Sequence, residues 1–580
     1  MAFGALSLAL QGTGATPQGG EASQVTEARL ELVWPGKDKF LLVPKDTDGK
    51  PVWVERDHPA ASEVRLADFT GVVGDVPEDP YAANLLFTGD SLDVLRILCE
   101  VPEYRSIYRG KVKLVYIDPP FNTGQAFEHY DDWMEHSTWL SFMRERLLLI
   151  RDLLAPDGSV WVHLDDAEQH RMRLLMDEVF GSQNFIASFA WEKDKGRRND
   201  TDVSTVHDHI HVYATSPSAW ARVRNPLTRT AEQVARYRNP DSDPRGPWLQ
   251  GDNGTAKSGS DAARFEVTLP SGRVVTPPAG NFWRFSRTNF EQARSEGRVW
   301  FGRKGDSMPV IKRYLTEVKD GVVPRSWWPA DEVGHNQEAK RDHLRKMFPN
   351  GAPFATPKPE RLLERVIHIG SNPGDLVLDC FAGSGTTAAV AHKMGRRWVT
   401  SEILASTVEQ FTLPRLTMVV AGEDPGGITK AVGWNGGGGF RTVTVGPPMY
   451  EDTPFGVLLA GWATNGRFAR AVAGQLGFEF QPDAAPLCGI RGRMRLAVVD
   501  GAVGAEEVRQ IVGSLGEKER VTLIAKSVLP EAESLLAQVS PGSRIRKAPR
   551  DLLTSGAQRM RRRTEASTRH TRESTEGSGT

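Results

Sequence analysis

The sequence predicts an α/β protein built on a doubly wound, mostly parallel sheet. Strand-like apolar segments alternate with amphipathic helices in two separate stretches, 84–195 and 355–422. Val112–Ile117 is a continuous apolar run, as expected for a strand covered on both faces. Between the two stretches, polar segments punctuated by Pro and Gly replace this alternation. The pattern therefore predicts an α+β insertion at 196–354 that divides the sheet domain in the sequence.

Each element of the first stretch follows from local signals. Residues 84–98 combine an apolar run, a Gly-Asp turn and an amphipathic pattern, which predicts a strand and then a helix. Apolar residues next recur at steps of three and four after Ser137, a suitable N-cap: Leu140, Met143, Leu147, Ile150 and Leu154. A strand at 159–164, a helix at 166–180 ended by Gly181 and a strand at 185–191 complete the stretch.

The second stretch repeats this order. Glu360–Gly370 and 385–395 are predicted helices, and 375–379 and Arg397–Glu402 are predicted strands. After a Gly-rich break, a separate C-terminal α/β unit with β-α-β-α-β order is expected within 430–550. An N-terminal arm at 1–80 should be partly irregular, with short strands at 30–33 and 40–43, and a tail at 551–580 should be disordered.

Composition narrows the class of protein. A chain of 580 residues with 39% hydrophobic and 25% charged residues is typical of a soluble protein with several structural units. No apolar run approaches a membrane span, and the first residues lack the features of a signal peptide. The three cysteines are far apart and match no metal spacing, so we expect a cytoplasmic protein without a metal site. A net charge of −1 leaves nucleic-acid binding undecided.

A small-residue loop follows the predicted strand at 375–379 and precedes a helix. It contains Asp379, Phe381, Ala382, Gly383, Gly385 and Thr386. Glycines let the backbone turn tightly and approach a ligand at the carboxyl edge of a sheet. No Lys follows Gly385, which excludes a Walker phosphate loop. The next strand ends at Glu402, whose carboxylate can bind ribose hydroxyls, so nucleoside binding is favoured over a plain strand-to-helix turn.

A second motif, Asp118-Pro119-Pro120-Phe121, ends the predicted strand Val112–Ile117. Two prolines stiffen the turn, so that Asp118 and the Pro119 carbonyl form a pair of acceptors for an amino group. Phe121 offers an aromatic face on which a planar base can stack. Methyl transfer to such an amine could proceed by direct displacement. The alternative is a Pro-rich turn with an exposed acid.

Together, the two motifs resemble those of amino-methyltransferases of DNA. Asp118–Phe121 is similar to their catalytic DPPY/F motif, and 381–385 is similar to their FxGxG motif, which binds S-adenosylmethionine. The catalytic motif comes first and a long insertion separates the two, as in the β-group, where the insertion is the target-recognition domain. The string DPPFNTG at 118–124 especially resembles modification subunits of type III restriction-modification systems.

The resemblance implies further roles. Asp90, after Gly89, would lie near the adenine of the cofactor, and Lys358, in Thr-Pro-Lys-Pro, would close over its methionine part. Both positions also suit ordinary helix-entry turns. Asp rather than Ser at position 118 favours adenine N6 over cytosine N4. No cysteine follows a Pro, so catalysis by a cysteine nucleophile on carbon 5 of cytosine is not supported.

The expected substrate is double-stranded DNA. Arginines interleaved with aromatic residues in the insertion can contact phosphates and bases, and the target adenine would have to be flipped out of the duplex. The resemblance also permits a homodimer and a helicase-nuclease restriction partner in phage defence, and no membrane. Two alternatives stay open: a cytosine-N4 methyltransferase and a catalytically silent DNA-binding subunit.

Overall fold

The computed structural model describes most of the chain between residues 31 and 553. The described ranges are 31–42, 51–123, 126–127, 130–131, 134–197, 201–250, 254–318, 320–349, 354–453 and 456–553. Within these ranges, no helix combines the length and apolarity needed to cross a membrane. The expected disordered tail lies outside them from residue 554 onward. Its first residues do not fit that expectation, because Leu552 is fully buried in the C-terminal unit.

A ten-stranded sheet organises the fold. In chain order its strands are β1 (Ala67–Gly74), β2 (Asn84–Thr88), β3 (Val112–Ile117), β4 (Leu154–Leu164), β5 (Phe185–Glu192), β6 (His207–Ala214), β7 (Trp327–Trp328), β8 (Leu376–Asp379), β9 (Arg397–Glu402) and β10 (Gly439–Val445). Their spatial order is β7-β5-β6-β4-β3-β8-β9-β2-β10-β1. The six strands from β4 to β10 in this order are mutually parallel, whereas β6 and β1 run antiparallel to their neighbours. The predicted doubly wound sheet is confirmed.

Helices cover both faces of the sheet. They are α1 (Ser91–Glu100), α2 (Pro102–Tyr108), α3 (His136–Leu153), α4 (Gln169–Phe180), α5 (Glu360–Gly370), α6 (Thr386–Lys393) and α7 (Leu413–Ala421). The first four pack on one face and the last three on the other. Alternate residues of β3 enter the two cores, Val115 and Ile117 on one side and Tyr116 on the other. This explains why its sequence is apolar throughout.

Two helices begin at residues other than those predicted, because acidic side chains near their starts accept backbone N–H groups. The Glu135 carboxylate accepts the backbone N–H groups of Ser137 and Thr138, so α3 begins at His136 and Ser137 is not its N-cap. Asp165 accepts the N–H of Ala167 in a turn, which delays α4 to Gln169. In the N-terminal arm, Phe40–Leu42 pairs with Val52–Val54, and the expected strand at 30–33 is not formed over its described residues.

The sheet is larger than the predicted domain boundaries allow. β1 belongs to the expected arm, β6 and β7 to the expected insertion, and β10 to the expected C-terminal unit. The boundaries at 80, 196 and 430 are therefore wrong for the sheet itself. Edge strands complete the hydrogen bonding of their neighbours, and a periodic sequence does not reveal which sheet a strand will join. The remaining division into domains stays a proposal.

The insertion is an α+β unit with its own small core. Its helices are Pro217–Val223, Ala231–Ala235, Arg287–Ser295 and Ala330–Val333, followed by a π-helix at Glu338–Leu344 and a turn of α-helix at Arg345–Met347. Its strands are Trp248–Gln250, Val299–Trp300 and Val310–Tyr314 in one sheet, with paired Thr255–Ala256 and Phe282–Trp283, and Val267–Thr268 and Val274–Val275. Phe265, Trp283 and Phe290 form the centre of the core.

The C-terminal unit is a second, smaller α/β sheet. Its strands are β11 (Glu479–Phe480), β12 (Gly489–Arg491), β13 (Met494–Val503), β14 (Arg520–Val528) and β15 (Arg544–Lys547), in that spatial order. Its helices are α8 (Asn465–Leu476), α9 (Ala505–Gly513) and α10 (Pro530–Val539), and a hairpin of Tyr450–Thr453 with Gly456–Leu459 precedes them. The predicted β-α-β-α-β order is confirmed between β13 and β15.

Candidate active site

The two sequence motifs meet at the carboxyl edge of the large sheet. β3 and β8 are neighbours, with Leu114 opposite Val377 and Val115 opposite Leu378. The chain leaves these parallel strands side by side at Asp118 and at Asp379. A cavity of about 250 Å³ opens there. This is the topological switch point at which doubly wound sheets bind their ligands.

Most of the predicted site residues line this cavity. Its wall includes Asp90, Asp118, Pro120, Lys358, Asp379, Phe381, Ala382, Gly383, Thr386 and Glu402. Pro119, Phe121 and Gly385 are not part of the wall but are sequence neighbours of residues that are. Among the described residues of the wall, four carboxyl groups face the cavity and Lys358 supplies the single ammonium group, so the cavity favours a positively charged ligand.

One oxygen of Asp118 lacks a partner. Its Oδ2 atom forms an ion pair with the ammonium group of Lys358. Its Oδ1 atom is buried and has no hydrogen-bond partner among the residues that the structure describes. A buried acceptor without a partner carries a desolvation cost, and such atoms in native proteins often mark a ligand position. Oδ1 can accept a hydrogen bond from an amino group brought to this edge.

Hydrogen bonds of Trp139 and Asn122 position the turn that contains Asp118. The indole N–H of Trp139, a fully buried residue of α3, donates to the Pro120 carbonyl at 2.8 Å. Asn122 has a left-handed backbone with φ of 61°, and its side chain joins two segments. Its Nδ2 atom donates to buried Glu168 at 2.7 Å, and its Oδ1 atom accepts the N–H of Met134 at 2.6 Å. These contacts fix where the motif leaves the sheet.

Phe121 lies between a buried imidazole and a cation. Its ring stacks on His163 with centroids 5.9 Å apart and an interplanar angle of 26°. The ammonium of Lys358 is 5.1 Å from the Phe121 centroid. Lys358 was expected to close over the cofactor, but here it contacts the side chains of Asp118 and Phe121 in the catalytic motif. The position expected for a stacked base is therefore next to Lys358.

A chain of hydrogen bonds sets the state of His163. Burial lowers the pKa of His163, which keeps the imidazole neutral near pH 7. Its Nδ1 accepts from the Tyr116 hydroxyl at 2.8 Å, and its Nε2 donates to Asp208 at 3.2 Å. Burial opposes ionisation of Asp208, but the hydrogen bond from His163 and the charge of Lys193 lower its pKa to about 2. Phe121 thus rests on a rigid polar support from β4 and β6.

The cofactor loop is built from backbone turns anchored by Glu402. Gly383 and Gly385 have φ of 50° and 78°, in the left-handed region that favours glycine. A Cβ atom on Gly383 would lie 3.2 Å from the Phe354 ring. Glu402 accepts the N–H of Gly383 at 2.9 Å and of Leu404 at 3.1 Å. The predicted ribose-binding acid therefore also fixes the loop, with its carboxylate at the cavity wall.

Asp379 is the buried acid of the cavity. Burial raises its pKa to about 7, and the nearby carboxylates of Asp118 and Glu402 act in the same direction. Hydrogen bonds from Thr387 and from the N–H of Phe381 only partly oppose this rise. A cation in the cavity would restore the charged form of Asp379. The acid is therefore suited to an ammonium or sulfonium ligand.

Asp90 has two structural partners. It caps α1 by accepting the N–H of Leu92 at 2.7 Å, and both of its oxygens bind Arg146 at 2.9 Å. It still lines the cavity. Asp90 can therefore cap the helix and also contact the cofactor. A carboxylate that accepts these hydrogen bonds still has lone pairs that a ligand can use.

A buried charge network beneath the cofactor loop escaped the sequence analysis. Lys393 binds both Glu360 and Asp424, at 2.7 and 2.6 Å, and all three side chains are fully buried. Arg415 binds Glu360 at 2.9 Å and donates to the Thr386 hydroxyl at 2.8 Å. The network joins the start of α5, just after Lys358, to the cofactor loop. A charged residue inside an otherwise apolar helix pattern, such as Arg415, was the available signal.

The aromatic residues of the insertion are mainly core. Trp248 and Trp283 are each 3% exposed and belong to the packed interior of this unit. Arg245 and Arg298 are paired with Asp243 and Glu317. Other cations are exposed on this unit: Arg236, Arg238, Lys257, Arg303, Lys304 and Arg313. These, with Trp327 at 45% exposure, are the candidates for nucleic-acid contact.

With this geometry in view, comparison with known proteins identifies the family. Residues 112–412, just over half of the chain, match the family model of N6/N4 methyltransferases described as DNA methylase. The chain belongs to this DNA methylase family. The match spans both motifs and the insertion between them, and the resemblance predicted from the two motifs is confirmed.

The curated relatives include Mod subunits of type III restriction-modification enzymes. The chain is 32% identical over 341 residues to the StyLTI Mod subunit of a type III restriction-modification enzyme from Salmonella typhimurium, covering 54% of this chain and 50% of that one. It is 25% identical to the EcoP15I Mod subunit of Escherichia coli, covering 56% and 58%. The chain thus spans about half the length of these curated relatives. A solved cytosine-N4-specific PvuII DNA methyltransferase shares 16% identity at a TM-score of 0.31, covering 59% and 89%, too distant to indicate the target base.

Proposed function

We propose that this DNA methylase transfers a methyl group from S-adenosylmethionine to the N6 amine of an adenine flipped out of double-stranded DNA. The observation that carries this proposal is the buried, unpartnered Oδ1 atom of Asp118 in the same acidic cavity as the cofactor loop. The Oδ1 atom offers an acceptor for an amino group, and the acidic cavity offers a site for a cationic nucleoside.

The donor set of the cavity fits S-adenosylmethionine. When bound, this cofactor supplies an electrophilic methyl group on a positively charged sulfur. Glu402 would accept hydrogen bonds from its ribose hydroxyls, and the backbone at Gly383 allows close approach because no side chain intervenes. Asp90 would lie near the adenine, as the family resemblance implies. Asp379 would face the charged end, where its ionised form is favoured by a cation.

The catalytic motif would orient the target amine. Asp118 Oδ1 and the Pro119 carbonyl would each accept one amine N–H, which directs the nitrogen lone pair toward the methyl carbon. Phe121 would stack the base from the side opposite His163. Transfer of the methyl group would leave neutral S-adenosylhomocysteine and a positively charged amine nitrogen, which would then release one proton to water. The carboxylate of Asp118 stabilises that developing charge.

Lys358 would move when the base arrives. In this structure its ammonium group lies against both Asp118 and the Phe121 ring. A base stacked on Phe121 takes over that contact, so Lys358 would shift toward the cofactor, which is the position that the family resemblance implies. Until then, Lys358 keeps the buried Asp118 carboxylate compensated. This reconciles the observed contact with the predicted role.

The exposed cations of the insertion would bind DNA phosphates. Arg236, Arg238 and Lys257 are suitably exposed for this, and Trp327 could contact a base. Similarity to Mod subunits supports a role in restriction-modification within the cytoplasm, with a helicase-nuclease partner and a second copy of the chain as candidate partners. The C-terminal unit is a candidate surface for such assembly.

Nucleoside analysis of modified DNA tests this proposal. Plasmid DNA from cells expressing the full chain, or Asp118→Ala as the control, would be digested to nucleosides and separated by mass spectrometry. N6-methyladenine is expected with the parent chain and not with the variant. N4-methylcytosine alone would overturn the choice of base. A background level of both, from purified protein supplied with S-adenosylmethionine, would instead favour a silent DNA-binding subunit.

A further inference from the structure

We propose that Asp166, His207 and His209 form a binding site for one divalent transition-metal ion, and that Zn²⁺ suits it best. Ligand atoms of the three side chains all lie within 4.8 Å of one another. None of them belongs to the catalytic or cofactor motifs. No cysteine takes part, which is why the cysteine spacing led us to expect no metal site.

Strand pairing explains why the three residues meet. β6 runs antiparallel to β4, with His209 opposite Leu164. His207 lies two residues before His209 and therefore on the same face of the strand. Asp166 follows Leu164 by two residues, so continuation of the register brings it opposite His207. The backbone thus holds all three side chains on one face of the sheet edge without help from a metal.

The side chains are already close to a coordinating arrangement. Nε2 of His209 is 3.0 Å from Oδ1 of Asp166, and the rings of His207 and His209 are 4.9 Å apart. Two imidazoles and one carboxylate match the donor preference of Zn²⁺ and leave a fourth position for water or another oxygen ligand. Their combined charge of −1 with neutral imidazoles favours a cation.

The site is open to solvent, and no described lysine or arginine pairs with its carboxylate. The side chain of Asp166 is 54% exposed and that of His209 is 21% exposed, so an ion can enter. Among the residues that the structure describes, no lysine or arginine forms an ion pair with Asp166. The other three-ligand cluster, His343 with Glu360 and Asp424, differs in this respect because Lys393 occupies it. That cluster therefore carries no metal proposal.

A bound ion would connect two parts of the catalytic edge. Asp166 lies in the turn after β4, and Glu168 in the same turn accepts a hydrogen bond at 2.7 Å from Asn122, the residue after the catalytic motif. His207 and His209 flank Asp208, whose carboxylate binds His163 beneath Phe121. Coordination would tie this turn to β6 and stabilise the folded chain by mass action.

Zinc titration of the metal-free chain tests the proposal. After dialysis against chelator, the full chain would be titrated with ZnCl₂ by calorimetry, and with CoCl₂ by visible absorption. One equivalent should bind, with a rise in Tm. His207→Ala, His209→Ala and Asp166→Asn should each weaken affinity roughly tenfold or more. His170→Ala, an exposed histidine of α4 outside the cluster, is the matched control and should bind as the parent does.

Two further outcomes decide against the site. The triple variant should show neither the Co²⁺ visible bands nor the shift in Tm, and its own unfolding transition would show that it is folded. Saturable uptake of one equivalent with equal affinity by the triple variant would overturn the proposal. Absence of saturable binding to the parent would do the same.

Discussion

The catalytic loop after β3 and the cofactor loop after β8 leave neighbouring strands of one sheet but are supported differently. Beneath the cofactor loop, fully buried Lys393, Glu360 and Arg415 form a network of charges. The catalytic loop is held instead by hydrogen bonds and ring stacking, through Trp139, Asn122 and His163. The residues that hold each loop in place therefore differ from those proposed to contact substrate or cofactor. Substitutions should separate effects on stability from effects on methyl transfer.

The largest effect is expected where the charge network is broken. Lys393→Met removes the ammonium shared by two buried carboxylates, Glu360 and Asp424, and leaves the Asp424 carboxylate with His343 and a backbone N–H as its partners. Uncompensated buried charge should lower the free energy of unfolding by about 3–5 kcal/mol. Urea titration would measure this. Lys195→Met is the control, because its partner Asp331 is exposed and the loss should not exceed about 1 kcal/mol. Equal losses would contradict a supporting role for the network.

The second-largest effect is expected when Asp118, the proposed acceptor for the amine, is replaced. Asp118→Ala should lower the rate of methyl transfer about 10²–10³-fold, because it removes the group that faces the developing charge. Cofactor affinity should change little, since the anchors at Gly383 and Glu402 remain. Single-turnover transfer of labelled methyl groups and calorimetric cofactor titration would report the two quantities separately. A matching loss of cofactor affinity would show that the two loops are not independent. Asp118→Asn, which keeps the volume, guards against a folding effect.

Phe121 should affect DNA more than cofactor. Base stacking is worth about 1–3 kcal/mol, so Phe121→Ala should lower kcat/KM for DNA roughly fivefold to 150-fold. Phe121→Tyr keeps the ring and should retain most activity, as the DPPY form of the motif implies. Steady-state kinetics with DNA as the varied substrate would measure both. If the Ala variant keeps parental kcat/KM, Phe121 does not stack the base.

The smallest effect is a pH dependence of cofactor binding. The pKa of Asp379 is raised to about 7, so a cationic cofactor should bind more tightly as the pH rises from about 5.5 to 7, by up to about tenfold for each pH unit. Asp379→Asn should flatten this dependence, which calorimetry at several pH values would show. Without cofactor, the sign is opposite for stability: the folded pKa exceeds the unfolded one, so Asp379 lowers the free energy of unfolding as the pH rises from about 4 to 7.

Local sequence was sufficient for the residues whose role depends on backbone shape or on a short motif. Asp118 follows the end of β3, Gly383 lies in the loop after β8, and Glu402 ends β9. All three residues line the cavity. Trp139 and His163 were not predicted as part of the site, because an apolar periodicity says that a side chain is buried but not which group its polar atom will meet. Lys358 lines the cavity, and its contact with Asp118 depends on the approach of two distant segments.

The sequence by itself determined the fold class, the order of the two motifs and the family that they indicate, because strand ends, glycine turns and paired prolines act through the local backbone. Only the tertiary structure decided which strands share the sheet, that Asp118 keeps one oxygen free, and that His207, His209 and Asp166 gather on one face. These features depend on strand register and on contacts between distant segments. Hydrogen bonding between strands is nearly independent of side-chain identity, so the sequence pattern alone cannot specify it.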